Sequence, residues 1–161
     1  PLYDPQSDSV FVGSLGREMV SFNLASGDVN WAYSTNDLAT IWATPILLDN
    51  QLIFTDKNGK IIALDPESGT ELWQNNAGGT VIAGATLVGD KGFLVAREDG
   101  TISYYSSETQ GGDWTVTVPG NIYSKPVVDG DQIFVPVVKA DALIYTYNTA
   151  GVPGWSFSPS K

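Results

Sequence analysis

Eighteen Asp and Glu face eight Lys and Arg in these 161 residues, and there is no histidine and no cysteine. Carboxylates, amides and aromatic rings are therefore the side chains left for chemistry. Without His or Cys the usual zinc and copper sites, Ser-His-Asp triads and Cys-His dyads cannot be built. Carboxylates could still hold calcium, and Asp56, Asn58 and Glu67 stand at positions 1, 3 and 12 of an EF-hand spacing. Lys60 then occupies a ligand position and Ile61 replaces the required glycine, so "DKNG" is expected to be a hairpin turn. Glu98 with Asp99, and Asp129 with Asp131, lie in turn sequences where carboxylates are solvated. Paired-carboxylate glycoside hydrolysis would need opposed groups, which sequence spacing does not establish. Gly13 and Gly16 in "GSLG" lack the strand-to-helix setting of a phosphate loop and read as another hairpin.

The net charge of −10 repels phosphate backbones and anionic lipid, which argues against nucleic acid as a partner. No apolar stretch approaches the roughly 18 residues that cross a bilayer as a helix. "PLYDPQSDS" has neither a charged leader nor an apolar core, so any signal or anchor is expected outside this segment. There are no Asn-X-Ser/Thr sequons. At 42% hydrophobic and 11% aromatic, the composition is that of a packed, folded chain.

The elements that must position these groups announce themselves by repetition. "SFNLASGDVNW" and "ALDPESGTELW" say nearly the same thing, and Trp31, Trp73, Trp114 and Trp155 follow at intervals of 42, 41 and 41 residues. In that register Pro1, Pro45 and Pro126 open three units, with Thr86 in the third. The second unit reads as four short strands, "PILLD", "QLIFTD", "KIIALD" and "TELWQN", separated by turns rich in Gly, Asn, Asp and Pro. No segment sustains a 3.6-residue period, so helix should be nearly absent. A single four-stranded meander buries too little to stand alone, whereas a radial stack of them buries both faces of each sheet. An all-β propeller of four blades is expected, with approximate boundaries at 1–43, 44–84, 85–124 and 125–161. The recurrent tryptophan would start each outer strand and fill the widening wedge between neighbouring sheets.

The run Ala63, Leu64, Asp65, two residues, Ser68, Gly69, two residues, Leu72, Trp73 closely resembles the repeat signature of pyrroloquinoline-quinone-type (PQQ-like) propellers. "TIWATP" and "NIYSKP" resemble that family's connectors into the inner strands. Units one and two fit well; "YYSSETQGGDW" and "YTYNTAGVPGW" shift the spacing and lose the aspartate. The resemblance implies an eight-bladed ring, as in quinoprotein alcohol dehydrogenases and in the scaffold lipoprotein of the outer-membrane barrel-assembly machinery. Four blades are then half of such a ring, and the segment is expected to be part of a longer protein cut at a blade boundary. The apolar outer faces of blades one and four would be covered either by a second copy, closing an eight-bladed homodimer, or by the remainder of the parent chain.

Family dehydrogenases hold their quinone with calcium, carboxylates, a tryptophan platform and often adjacent cysteines. With no cysteine and no calcium loop, no catalytic, metal or cofactor-binding residue is expected here. A face for a ligand or partner is expected where connectors enter the inner strands. There Trp42, Ala83 and Tyr123 align, with Thr44 and Lys125 nearby, although the two rings could instead pack between blades. A non-enzymatic protein-interaction scaffold outside a bacterial or archaeal cytoplasm is the expected role. A dehydrogenase fragment and an extracytoplasmic sensor or carbohydrate-binding module are the alternatives.

Overall fold

A computed structural model describes residues 1–107 and 111–159, and every regular element among them is a β-strand. The first sheet holds β1 (Leu2–Asp4), β2 (Ser9–Gly13), β3 (Met19–Asn23) and β4 (Val29–Tyr33). The second holds β5 (Ile46–Leu48), β6 (Gln51–Thr55), β7 (Lys60–Leu64) and β8 (Glu71–Asn76). The third holds β9 (Val81–Val88), β10 (Gly92–Arg97), β11 (Thr101–Ser106) and β12 (Gly112–Thr117), and the fourth β13 (Val127–Asp129), β14 (Gln132–Pro136), β15 (Ile144–Asn148) and β16 (Pro153–Phe157). Each sheet is an antiparallel meander in chain order. The architecture is the expected all-β set of four propeller blades.

Burial explains why the middle blades look different in sequence from the end ones. Along β6 and β7 almost every residue is buried, because alternate side chains serve two different interfaces. Leu52, Phe54, Ile62 and Leu64 pack with Phe11 and Met19 of blade one, while Ile53, Ile61 and Ala63 pack with Ala85, Phe93 and Val95 of blade three. Blade three repeats the division, turning Leu94, Ala96 and Ile102 toward Ile133, Val135 and Val137 of blade four. A sheet covered on both faces reads as an unbroken apolar run, and one covered on a single face alternates. Alternation accordingly returns in β2 and β14.

Proline accounts for one departure. β1, β5 and β13 each begin directly after Pro1, Pro45 and Pro126, whose missing N–H cannot join a ladder. Blade three has Thr86 at that place, and its inner strand starts earlier, at Val81, which pairs with Arg97 across a bulge. β9 therefore runs through the expected boundary at residue 84. Gly84 makes the extension possible, since it sits at φ +76 with Ala43 of the preceding connector where a side chain would go.

The turn between β7 and β8 packs closely on the indole of the neighbouring blade. Gly69 adopts φ +71, and a methyl group there would lie 2.6 Å from the Trp31 ring. Gly89 has φ +60 in open space. Both replacements by alanine incur the left-handed backbone penalty, so their difference isolates the packing of the indole. Gly69→Ala is expected to destabilise the fold by about 1–3 kcal/mol more than Gly89→Ala, measured by urea unfolding; equal losses would mean the indole contact carries no weight.

Candidate interaction site

The ladder tryptophans occupy the third position of β4, β8 and β16, and the same place in β12, each beside a bulge in the preceding pairing. In two junctions the indole does more than fill a wedge. Trp31 donates its Nε1–H to the Pro66 carbonyl at 3.0 Å, across to the β7–β8 turn of the next blade, and lies against Gly69. Trp114 donates to the Thr149 carbonyl at 3.1 Å and lies against Gly151 of the β15–β16 turn. A buried indole N–H needs an acceptor, and the neighbouring turn supplies one. Trp73 behaves differently, donating to Gln51 Oε1 of its own sheet at 2.7 Å and stacking on Phe93, which in turn stacks on Tyr105. The blade-three turn that Trp73 would meet includes residues 108–110, outside the described residues. Trp155 is the fourth, and it is 53% exposed.

Asp65 builds the acceptor turn. Its Oδ1 accepts from the N–H groups of Glu67 and Ser68 and from the Ser68 hydroxyl, and Gly69 N–H closes the turn on the Asp65 carbonyl. Asn23 and Asn148 do the same with their amide oxygens in blades one and four. Replacing Asp by Asn keeps the acceptor that the turn requires, which is why the signature survives loss of the charge.

On the connector face, Trp42 is 50% exposed and its ring lies under the Lys57 ammonium, 5.0 Å from the centroid. Tyr123, also exposed, donates its hydroxyl to Glu98 Oε1 at 3.1 Å, and that carboxylate holds the phenol above its ordinary pKa. Lys125 reaches from blade four to the Thr44 carbonyl of blade two, at 3.5 Å, and burial pulls its ammonium below the ordinary value. Of the four expected face residues, Thr44 and Lys125 meet directly, whereas Trp42 and Tyr123 each sit with a different hairpin turn.

Those turns carry the residues that sequence patterns did not single out as a pair. Lys57 N–H donates to the Thr40 carbonyl while its own carbonyl accepts from Val81 N–H. Glu98, one blade on, donates to Thr80 and accepts from Ile122. Each turn thus clamps the connector entering its blade and the one leaving it. The 41-residue spacing of Lys57 and Glu98 is the only sequence trace, since backbone groups do the clamping. Their side chains, one cationic and one anionic, project beside the two exposed rings and give the face alternating charge.

The EF-hand-like spacing of Asp56, Asn58 and Glu67 does not gather its carboxylates into a calcium site. Asp56 is 1% exposed and uses both carboxylate oxygens on backbone donors, Oδ2 from Ala39 N–H and Oδ1 from Lys60 N–H. Glu67 lies in the turn at the opposite end of β7, so the EF-hand-like spacing is spread over two ends of one strand. Among the described residues there is no cluster of three or more acidic groups placed to hold a metal.

A family described as outer membrane protein assembly factor BamB matches residues 5–82 and 57–161. The chain belongs to this family. Among curated relatives, outer membrane protein assembly factor BamB of Francisella salina is 28% identical over 118 residues, covering 68% of this chain and 22% of its own length. The Nitrosomonas eutropha protein of the same name is 25% identical over 97% of this chain and 37% of its own. The chain therefore spans between a fifth and two fifths of these relatives. Among solved structures, BamB from Moraxella catarrhalis superposes with a TM-score of 0.80 at 18% identity, over 96% of this chain and 47% of that one. Saccharomyces cerevisiae Sqt1 superposes at 0.82 with 11% identity, over 93% and 45%. At such identities these structures show the shared propeller fold.

The Asp65 turn gives a pH dependence. Its hydrogen bonds hold the carboxyl below the ordinary value of 3.8, so the unfolded chain takes up the proton first as pH falls. The stability it contributes is complete above 3.8 and is lost as pH drops through the lower folded-state value. Asp65→Asn should flatten this acid loss in denaturant melts at pH 2–4 relative to the unchanged chain; parallel curves would show that the carboxylate is not linked to folding.

Proposed function

We propose that this chain is a non-enzymatic protein-interaction segment of an outer-membrane assembly scaffold, working outside the cytoplasm of a bacterium. The observation that carries it is a rigid face of exposed aromatic rings, each beside a charged side chain: Trp42 with Lys57 and Tyr123 with Glu98. Aromatics flanked by charge are typical anchors of protein interfaces, and here they are preset by blade-to-blade hydrogen bonds, which lowers the ordering cost of binding. Membership of a family named for outer membrane protein assembly supports both the role and the location. Thr44 and Lys125 would stiffen the same face. Catalysis and a quinone cofactor form no part of this proposal; Asp56, the first position of the one calcium-like spacing, has both carboxylate oxygens engaged by backbone donors.

The ring is completed, on this proposal, by further blades, from a second copy or from the rest of a longer chain. The test is calorimetric titration of the 161-residue chain with the soluble periplasmic domain of the organism's barrel-assembly machinery. Trp42→Ala and Tyr123→Ala should each weaken binding by roughly tenfold or more with unchanged urea midpoints. Undiminished binding in both variants, or a quinone-and-calcium titration that shifts the quinone absorbance, would overturn it.

A further inference from the structure

On the connector face, next to the Tyr123–Glu98 pair, lies a cavity of about 230 Å³ lined by Thr80, Glu98, Asp99 and Asn121. Its walls are the β10–β11 turn and the two connectors that this turn clamps, one entering blade three and one leaving it. Backbone groups set the positions. Glu98 N–H donates to the Thr80 carbonyl, and the Glu98 carbonyl accepts from Ile122 N–H and from Asn121 Nδ2, the latter at 3.1 Å. The space holds more than a single water.

The lining is rich in acceptors and poor in donors. Asn121 gives an amide N–H to the Glu98 carbonyl, so its Oδ1 remains as an acceptor. Glu98 takes the Tyr123 hydroxyl on Oε1 at 3.1 Å, which leaves Oε2. Thr80 adds a hydroxyl oxygen. Asp99 brings little net charge, because Oδ2 is ion-paired with Arg97 and Oδ1 accepts from Thr101 N–H. Nor does Arg97 offer donors to an anion: besides Asp99 its guanidinium serves the Ala77 carbonyl, and its Nε lies against Gly79. The cavity therefore has one uncommitted negative charge, from Glu98, among neutral acceptors, with the exposed Tyr123 ring beside it. A divalent cation would need more free carboxylate oxygens than this. A singly charged group with several N–H donors matches what is present.

Blade two makes the same clamp with the opposite charge. Lys57 N–H donates to the Thr40 carbonyl and the Lys57 carbonyl accepts from Val81 N–H, so Lys57 stands where Glu98 stands, and Asn58 where Asp99 stands. Two turns of like backbone thus present unlike chemistry to a partner lying along the face. We infer that the blade-three cavity is a subsite for an arginine side chain of the protein partner, its guanidinium donating to Glu98 Oε2, Asn121 Oδ1 and Thr80 Oγ1. A guanidinium is favoured over an ammonium because it is planar, weakly hydrated and stacks on aromatic rings such as Tyr123. The inference rests on the interaction-scaffold reading and names the chemistry of the partner at one point of that face.

The probe is N-acetyl-arginine methylamide, with its lysine and citrulline analogues as controls, titrated into the isotopically labelled chain and followed by backbone amide shifts. Saturable shifts centred on Thr80, Glu98 and Asn121 are expected in the millimolar range, while Thr40 and Lys57 stay in place. Citrulline, of the same shape without the charge, should bind about fivefold more weakly or worse, as should arginine to Glu98→Gln. Glutamine keeps an acceptor for Tyr123, and an unchanged urea midpoint would confirm that this variant is folded. High salt should weaken the arginine probe as well. Absence of localised shifts, equal binding of citrulline, or undiminished binding by Glu98→Gln would overturn the subsite; equal binding of the lysine probe would overturn the guanidinium as its occupant. These failures are distinct from failure of the scaffold reading, which is decided by whether Trp42→Ala and Tyr123→Ala weaken binding of the assembly-machinery domain.

Discussion

The structure depends on one constraint: a four-stranded meander has two apolar faces and cannot cover either by itself. Each blade is therefore stable only against its neighbours, and the contact between blades is what sequence must specify. Two devices serve it here. The faces interdigitate through residues such as Phe54, Ile62, Phe93 and Leu94, all 1% exposed or less. At the junctions of blades one with two and three with four, the rim is then fixed by an indole that reaches across the gap to a carbonyl in the next blade's turn. Apolar burial is nondirectional and would tolerate sliding; the indole hydrogen bond and the glycine beneath it select one angle and one offset.

The same logic distributes conformational demands along the chain. The acceptor turn needs a side-chain oxygen at its first position and, at its end, a residue without Cβ in the left-handed region, which is why Asp65 or Asn23 recurs with Gly69 or Gly27. At the opposite rim the connectors are held by backbone groups of Lys57 and Glu98. Because that end is clamped through the main chain, the side chains of Trp42, Tyr123 and their charged neighbours are not needed to hold it, which is what the proposed interaction role requires of them.

The fold was legible because its period is long and its marker rare. Four tryptophans at a nearly constant pitch disclosed the blades, and Gly, Asn and Asp between short apolar runs disclosed the hairpins. What the indoles bind was not legible, since Pro66 and Thr149 contribute carbonyl oxygens that any residue could supply. The early start of β9 was hidden for a related reason. Thr86 reads as a missing proline, yet its consequence is a gained N–H that lets the strand extend back to Val81. On the connector face the aligned positions 42 and 123 were visible, but their partners Lys57 and Glu98 looked like ordinary turn residues. Lys125 meets Thr44 from 81 residues away, a separation at which local pattern carries no information.

The exchange of indole Nε1 protons with solvent deuterium, resolved by heteronuclear magnetic resonance, tests the interblade hydrogen bond most directly. Trp31 and Trp114 should exchange slowly, in step with the buried strand amides, while Trp42 exchanges at the rate of a free indole. If Trp31 and Trp114 exchange as fast as Trp42, the indoles do not lock the blades and the account fails.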